Sequence, residues 1–170
     1  MLRTPVPLIG ALGVGEKPQM TEMLLVILGF LLGLVPSWWS RKSRVAVHWS
    51  ALRAESRICS DKASTYIRDG IMAPLYRLPM KAYETSLPVL LADAALPEAE
   101  FTDLLRFYGQ VEDFNRGLDN AAQMAIAKDL EQLRTEYERN KLKAAQLIPA
   151  IADTPTYYST AMKSIEFHLK

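Results

Sequence analysis

The chain has 170 residues, with 20 Lys/Arg against 19 Asp/Glu and a formal charge of +1. That length allows one modest domain plus a membrane segment, and so even a charge gives no bulk argument for a nucleic acid or an acidic ligand. Cys59 is the single cysteine, which excludes an internal disulfide and leaves nothing that requires an oxidising compartment.

Residues 1–19 are rich in Pro and Gly, lack periodicity and read as a disordered lead. Residues 23–35 then carry no polar side chain, and the apolar stretch reaches Trp38 and Trp39. Counting from 23 to 39 gives 17 residues, the lower limit for a spanning helix, so residues 20–40 predict a transmembrane helix. Trp38, Trp39, Arg41, Lys42 and Arg44 match a membrane–water interface, where amphipathic rings and cations settle at headgroup level. Gly29 and Gly33 form a small-xxx-small pair that lets two such helices approach. A cleaved signal peptide would need cations before the apolar run, where Thr21 and Glu22 stand instead. A core helix would not normally be apolar on every face. Cations cluster after the run and not before it, which predicts an inner-membrane, single-pass chain with its C-terminal part cytoplasmic and with anionic lipids as partners.

Residues 41–170 predict a helical domain. Val45, Trp49, Leu52, Ser56, Cys59, Ala63 and Tyr66 recur at steps of 4 and 3, one stripe of a helix over 43–69 that Gly70 terminates. Pro74, Pro79 and Pro88 break residues 70–96 into an apolar connection, with a short helix over 87–93 capped by Ser86. Pro97 opens a long helix over 97–147, with acidic Glu98, Glu100 and Asp103 in its first turns. Its stripe runs through Phe101, Leu104, Tyr108, Val111, Asn115 and Leu118, stutters between Ala122 and Ile126, and resumes to Leu147. Gly117 is the residue most apt to interrupt it. Thr154 and Pro155 predict the start of a short helix over 155–169 with Tyr158, Met162, Ile165 and Leu169 on one face. No alternating strand pattern competes. The fold class expected is all-α: one N-terminal transmembrane helix followed by an antiparallel helical hairpin or bundle with one long helix.

Residues 41–70 carry a net charge of +4 and residues 98–120 one of −4, so the first soluble helix is expected antiparallel on the first half of the long one. The interface would comprise Trp49 and Leu52 on one side and Leu104, Tyr108, Val111, Asn115 and Leu118 on the other. Asn115, a polar residue on an apolar stripe, either sets register there or is solvated at a turn.

Chemistry-bearing patterns are sparse. His48 and His168 have no carboxylate or cysteine at metal-ligand spacing, and no phosphate-cradling glycine loop follows a strand. Adjacent Glu112 and Asp113 point about 100° apart on a helix and make a poor acid–base pair. The expectation is therefore no enzyme, no cofactor, no metal and no nucleic acid.

The segments Trp49-Ser-Ala-Leu-Arg-Ala-Glu55, Ala73-Pro-Leu-Tyr-Arg-Leu-Pro79, Tyr83-Glu-Thr-Ser-Leu-Pro-Val-Leu-Leu-Ala-Asp93 and Phe107-Tyr-Gly-Gln-Val-Glu-Asp-Phe-Asn-Arg-Gly-Leu-Asp119 resemble small proteobacterial single-pass inner-membrane proteins of no assigned activity. The resemblance implies a bacterial inner-membrane location over residues 20–147 and no reaction. The function expected is a membrane-tethered interaction or scaffold module, with a homo-oligomer or a protein partner bound through the long helix. The competing readings are an envelope or phage-lysis factor with its coiled coil outside the membrane, and a small enzyme using Glu84, Asp93 or Glu112.

Overall fold

A computed structural model describes residues 18–70, 76–150 and 154–170, apart from the side chains of 18–21 and 33–37. The described residues are helical without strands, which makes the fold all-α. Five helices follow in order: α1 (Pro18–Asp69), α2 (Lys81–Ala92), α3 (Glu98–Ala127), α4 (Leu130–Ala145) and α5 (Tyr157–His168). The chain divides into two compact units, Met1–Ser40 and Arg41–Lys170.

In the first unit, the expected disordered lead over 1–19 lies outside the described residues except at Pro18 and Gln19, which are already helical. Pro suits that first position, because the first helical N–H groups have no intrahelical partner to lose. Among the described residues no helix is long and apolar enough to cross a membrane. The described apolar side chains run from 23 to 32, about 15 Å at the helical rise and half a hydrocarbon core. The rest of the expected span, residues 33–37, lies outside the described side chains, Gly33 included.

The second unit contains the core. The stripe read over 43–69 faces inward, with Trp49, Leu52, Ser56, Cys59, Ala63 and Tyr66 buried. Gly70 follows at φ 65 and its N–H donates to the Tyr66 carbonyl (2.9 Å); only glycine takes that left-handed angle without a Cβ penalty.

The proline-broken connection holds more helix than expected. Its helix is Lys81–Ala92 and not 87–93, and Ser86 is inside it, buried, and not a cap. No side chain of α2 caps its own N-terminus. Glu55 of α1 does so instead, accepting from the N–H groups of Ala82 (2.7 Å) and Tyr83 (2.9 Å). Those are the donors an N-cap side chain would serve, and the positive end of the α2 dipole favours the carboxylate. Pro88 is tolerated inside α2 because Glu84, whose carbonyl loses its partner, is exposed and can bond water.

Contacts along α1 and α2 run in opposite directions: Lys62 Nζ donates to the Arg77 carbonyl (2.8 Å), Cys59 Sγ to the Pro79 carbonyl (3.3 Å), His48 Nδ1 meets Ser86 Oγ (3.1 Å), and Arg44 meets Asp93 (3.2 Å). This reverse run is why α1 and α3 are not antiparallel as expected. Because α2 carries the chain back along α1, α3 sets off in the direction of α1: Ser56 meets Tyr108 (3.4 Å between hydroxyls) and Tyr66 meets Phe114 (ring centroids 4.9 Å). The ion pairs of the α1 arginines lead elsewhere. Arg41 and Arg44 pair with Asp93, and Arg57 with Glu166 of α5.

The long helix expected over 97–147 is a hairpin. It breaks at Lys128, which adopts φ 59, and continuous helix runs through Gly117. The Asp129 side chain then accepts from the Gln132 N–H (3.0 Å) and starts α4. Returning antiparallel, α4 and then α5 cover α3 along its length. Lys143 Nζ donates to the Asp113 carbonyl (3.0 Å), Tyr158 packs near Phe107 (6.1 Å), and Ser164 Oγ donates to Asp103 (3.1 Å). The cap of α5 is Thr156, in a reciprocal box with Ser159, two residues past the expected Thr154.

Candidate functional site

The most unusual surface is the apolar stretch of α1 in the first unit. Met23, Leu24, Leu25, Val26, Ile27, Leu28, Phe30, Leu31 and Leu32 are each between 51% and 72% exposed. Consecutive residues of a helix point 100° apart, so the exposure covers every face and not one stripe. An apolar sleeve of this kind exceeds the scattered exposed hydrophobics normal on a soluble surface. Burying one such side chain is worth about 1.5–3 kcal/mol, so the sleeve as a whole strongly favours a nonaqueous environment.

Of the residues read as the membrane interface, Trp38 and Trp39 are 61% and 69% exposed. Lys42 is also exposed. Arg41 and Arg44 are each partly committed within the second unit. Arg44 Nε and Nη2 reach the two Asp93 carboxylate oxygens at 3.2 and 3.4 Å. Arg41 Nε is 3.8 Å from Asp93 Oδ1, and Arg41 Nη2 donates to the Asp93 main-chain carbonyl.

The residues read as a helix–helix interface divide into two groups. Trp49, Leu52, Leu104, Tyr108, Val111 and Leu118 are all fully buried in the one core. Asn115 is only partly buried and faces the connection: its Oδ1 accepts from the Leu78 N–H (2.8 Å) and its Nδ2 donates to the Leu78 carbonyl (3.0 Å). It neither sets a helix register nor sits at a helix turn. It satisfies both main-chain groups of Leu78, a residue of the connection outside any helix.

Glu84, Asp93 and Glu112, the carboxylates read as enzyme candidates, do not converge. Glu84 pairs with Lys81 (3.6 Å), Asp93 with the two arginines, and Glu112 with Arg116 (3.2 Å). Among the described residues no group of three His, Cys, Asp or Glu side chains is placed to hold a metal.

Sequence reasoning missed two polar groupings. One is Glu55, legible only once α2 is known to start beside it. The other lies in an open cleft of about 660 Å³ between the start of α3 and α5, lined by Glu100, Asp103, Lys163, Ser164 and Phe167. There His168 Nε2 is hydrogen-bonded to Glu100, and the imidazole stacks on Trp49 (4.3 Å, 8° between planes). Glu100 and Asp103 are therefore already partnered across the two helices, and Glu166, the third carboxylate of the cleft, lies 3.8 Å from Arg57 of α1. Burial pushes the Cys59 thiol up to about 12, with Glu55 adding to the effect. The Tyr108 hydroxyl is raised by burial as well. Neither group is an available nucleophile at neutral pH.

The arrangement defines an all-α bundle joined in sequence to an apolar sleeve. No protein-family model, curated protein or solved structure matches this chain.

Proposed function

We propose that the chain is a membrane-tethered helical interaction module, with the sleeve of α1 as the tether and the unit Arg41–Lys170 as a bundle presented at the bilayer surface. The observation that carries this reading is the exposure of nine large apolar side chains on all faces of α1 between 23 and 32. In sequence the apolar run continues to residue 35 and is followed by the tryptophan pair and the cations. Taken together, residues 20–40 are long enough to span, and the excess of Lys and Arg after the run favours a cytoplasmic bundle. The bundle is read as a binding module and not as an enzyme, because Glu84, Asp93 and Glu112 pair separately with Lys81, the two arginines and Arg116 and do not converge. The stripe of α3 is spent inside the core, so a partner would have to meet the outer surface of the bundle.

Two measurements test the proposal. Carbonate washing of membranes should leave the full chain in the pellet, and reporter fusions after Trp39 and after Lys170 should both show cytoplasmic activity. A chain released by carbonate removes the tether. An external reporter at Lys170 would favour the envelope-factor reading over this one.

A further inference from the structure

Two guanidiniums converge on one carboxylate at the point in the sequence where the tether meets the bundle. Arg44 presents a fork to both Asp93 oxygens (3.2 and 3.4 Å), and Arg41 Nε lies 3.8 Å from Asp93 Oδ1 while its Nη2 donates to the Asp93 main-chain carbonyl. A guanidinium fork fits a carboxylate and a phosphate alike. We propose that Arg41 and Arg44 form a binding site for the phosphate of an anionic lipid headgroup, and that Asp93 occupies this site as an internal competitor until the lipid displaces it. The inference rests on the membrane reading above, which puts residues 41–44 at headgroup depth.

Three features support it. The arginine side chains are 53% and 54% exposed, so a headgroup reaches them without disturbing the core. The Asp93 carboxylate is 16% exposed and is met by both arginines, while Arg57 further along α1 goes to Glu166 instead (3.8 Å). Exposed ion pairs are weak, whereas a leaflet of anionic lipid attracts each nearby cation. An anionic leaflet can therefore compete with Asp93 for the two guanidiniums.

Displacement has a local readout. Asp93 is the C-cap of α2, closed by the N–H of Ala94 on the Leu91 carbonyl (3.0 Å) and that of Ala95 on the Leu90 carbonyl (2.9 Å). With the arginines gone to lipid, this end loses its tie to α1, while Glu55 still holds the other end.

The test places the full chain in nanodiscs of phosphatidylcholine, with or without phosphatidylglycerol, and follows amide hydrogen exchange at Ala94 and Ala95. Phosphatidylcholine carries the same phosphate but brings its own cation, so it is the control. Phosphatidylglycerol should speed exchange there roughly two- to five-fold, the scale an exposed pair contributes, and leave Ala82 and Tyr83 unchanged. Asp93→Asn should be fast in both kinds of disc. Equal wild-type rates in the two discs would overturn the proposal while leaving the tether standing. Failure to enter discs at all would overturn both. Acceleration by inorganic phosphate in phosphatidylcholine discs would assign the arginine pair to the free anion and overturn the lipid assignment.

Discussion

Gly117 shows how one residue type is chosen by its neighbour. A Cβ added there would lie 1.9 Å from Asn140 Oδ1 and 2.4 Å from Asn140 Cγ, and Asn140 is fully buried. The amide as a whole, and not just its tip, would have to move. Gly117→Ala should therefore cost about 1–3 kcal/mol by overpacking, despite the better helix propensity of Ala. Urea denaturation of Gly117→Ala, Asn140→Ala and the double variant should show strong coupling, with the double variant more stable than the sum of the singles predicts. Simple additivity would mean that the two do not collide. Cys59 gives a second expectation. Its thiol should resist a soluble disulfide reagent at pH 8 in the folded chain and react only on unfolding. The buried thiol at about 12 and Tyr66 at about 12 stand above their ordinary values of 9.0 and 10.0. The folded state therefore holds these protons more tightly than the unfolded one. Their contribution is fully present below about pH 9 and is lost as pH rises from there toward 12. The urea midpoint should fall steadily across that range, and a midpoint flat to pH 11 would contradict it.

Helix ends decide the element boundaries, and they also explain which boundaries the sequence shows. Gly70 was readable as a stop because glycine is the usual left-handed residue. Lys128 and Ala94 take the same backbone angle (φ 59 and 48) without being glycine, so nothing in their identity announces a turn. The hairpin break did leave two traces: the stutter at Ile126, which is 83% exposed, and Asp129 three residues before Gln132, the spacing of a side-chain cap. The α2 start left none, since its capping carboxylate, Glu55, comes from a helix 27 residues earlier in the chain. Ala94, just past the C-cap of α2, is strained by being held left-handed without being glycine. Ala94→Gly should accordingly stabilise the protein by about 0.5–1 kcal/mol, read as a raised urea midpoint. Glu55→Ala should do the reverse, costing about 1–2 kcal/mol at α2 through loss of the cap and the uncovered N–H groups. Amide exchange at Ala82 and Tyr83 should quicken before any change appears in α3.

At the scale of the whole molecule, the stripes read from periodicity are the core, but their pairing was decided by a short helix that periodicity did not reveal. Opposite charge on 41–70 and 98–120 was a poor guide to direction, because surface ion pairs are weak beside burial and the arginines found partners on α2 and α5. Among the described residues, every buried member of the core cluster falls between Trp49 and Ile165, inside the second unit. The fragment 41–170 should therefore stay in the supernatant and unfold cooperatively at the urea midpoint of the full chain in detergent. Within it, Trp49 is the keystone: fully buried on α1 and stacked on His168 of α5, it ties the first and last helices. Trp49→Ala should cost about 3–5 kcal/mol, a large part of the total stability of an ordinary domain, and should free α5 first. A fragment that needs the sleeve to fold, or a Trp49→Ala variant with protected α5 amides, would mean that tether and bundle are not separable in this way.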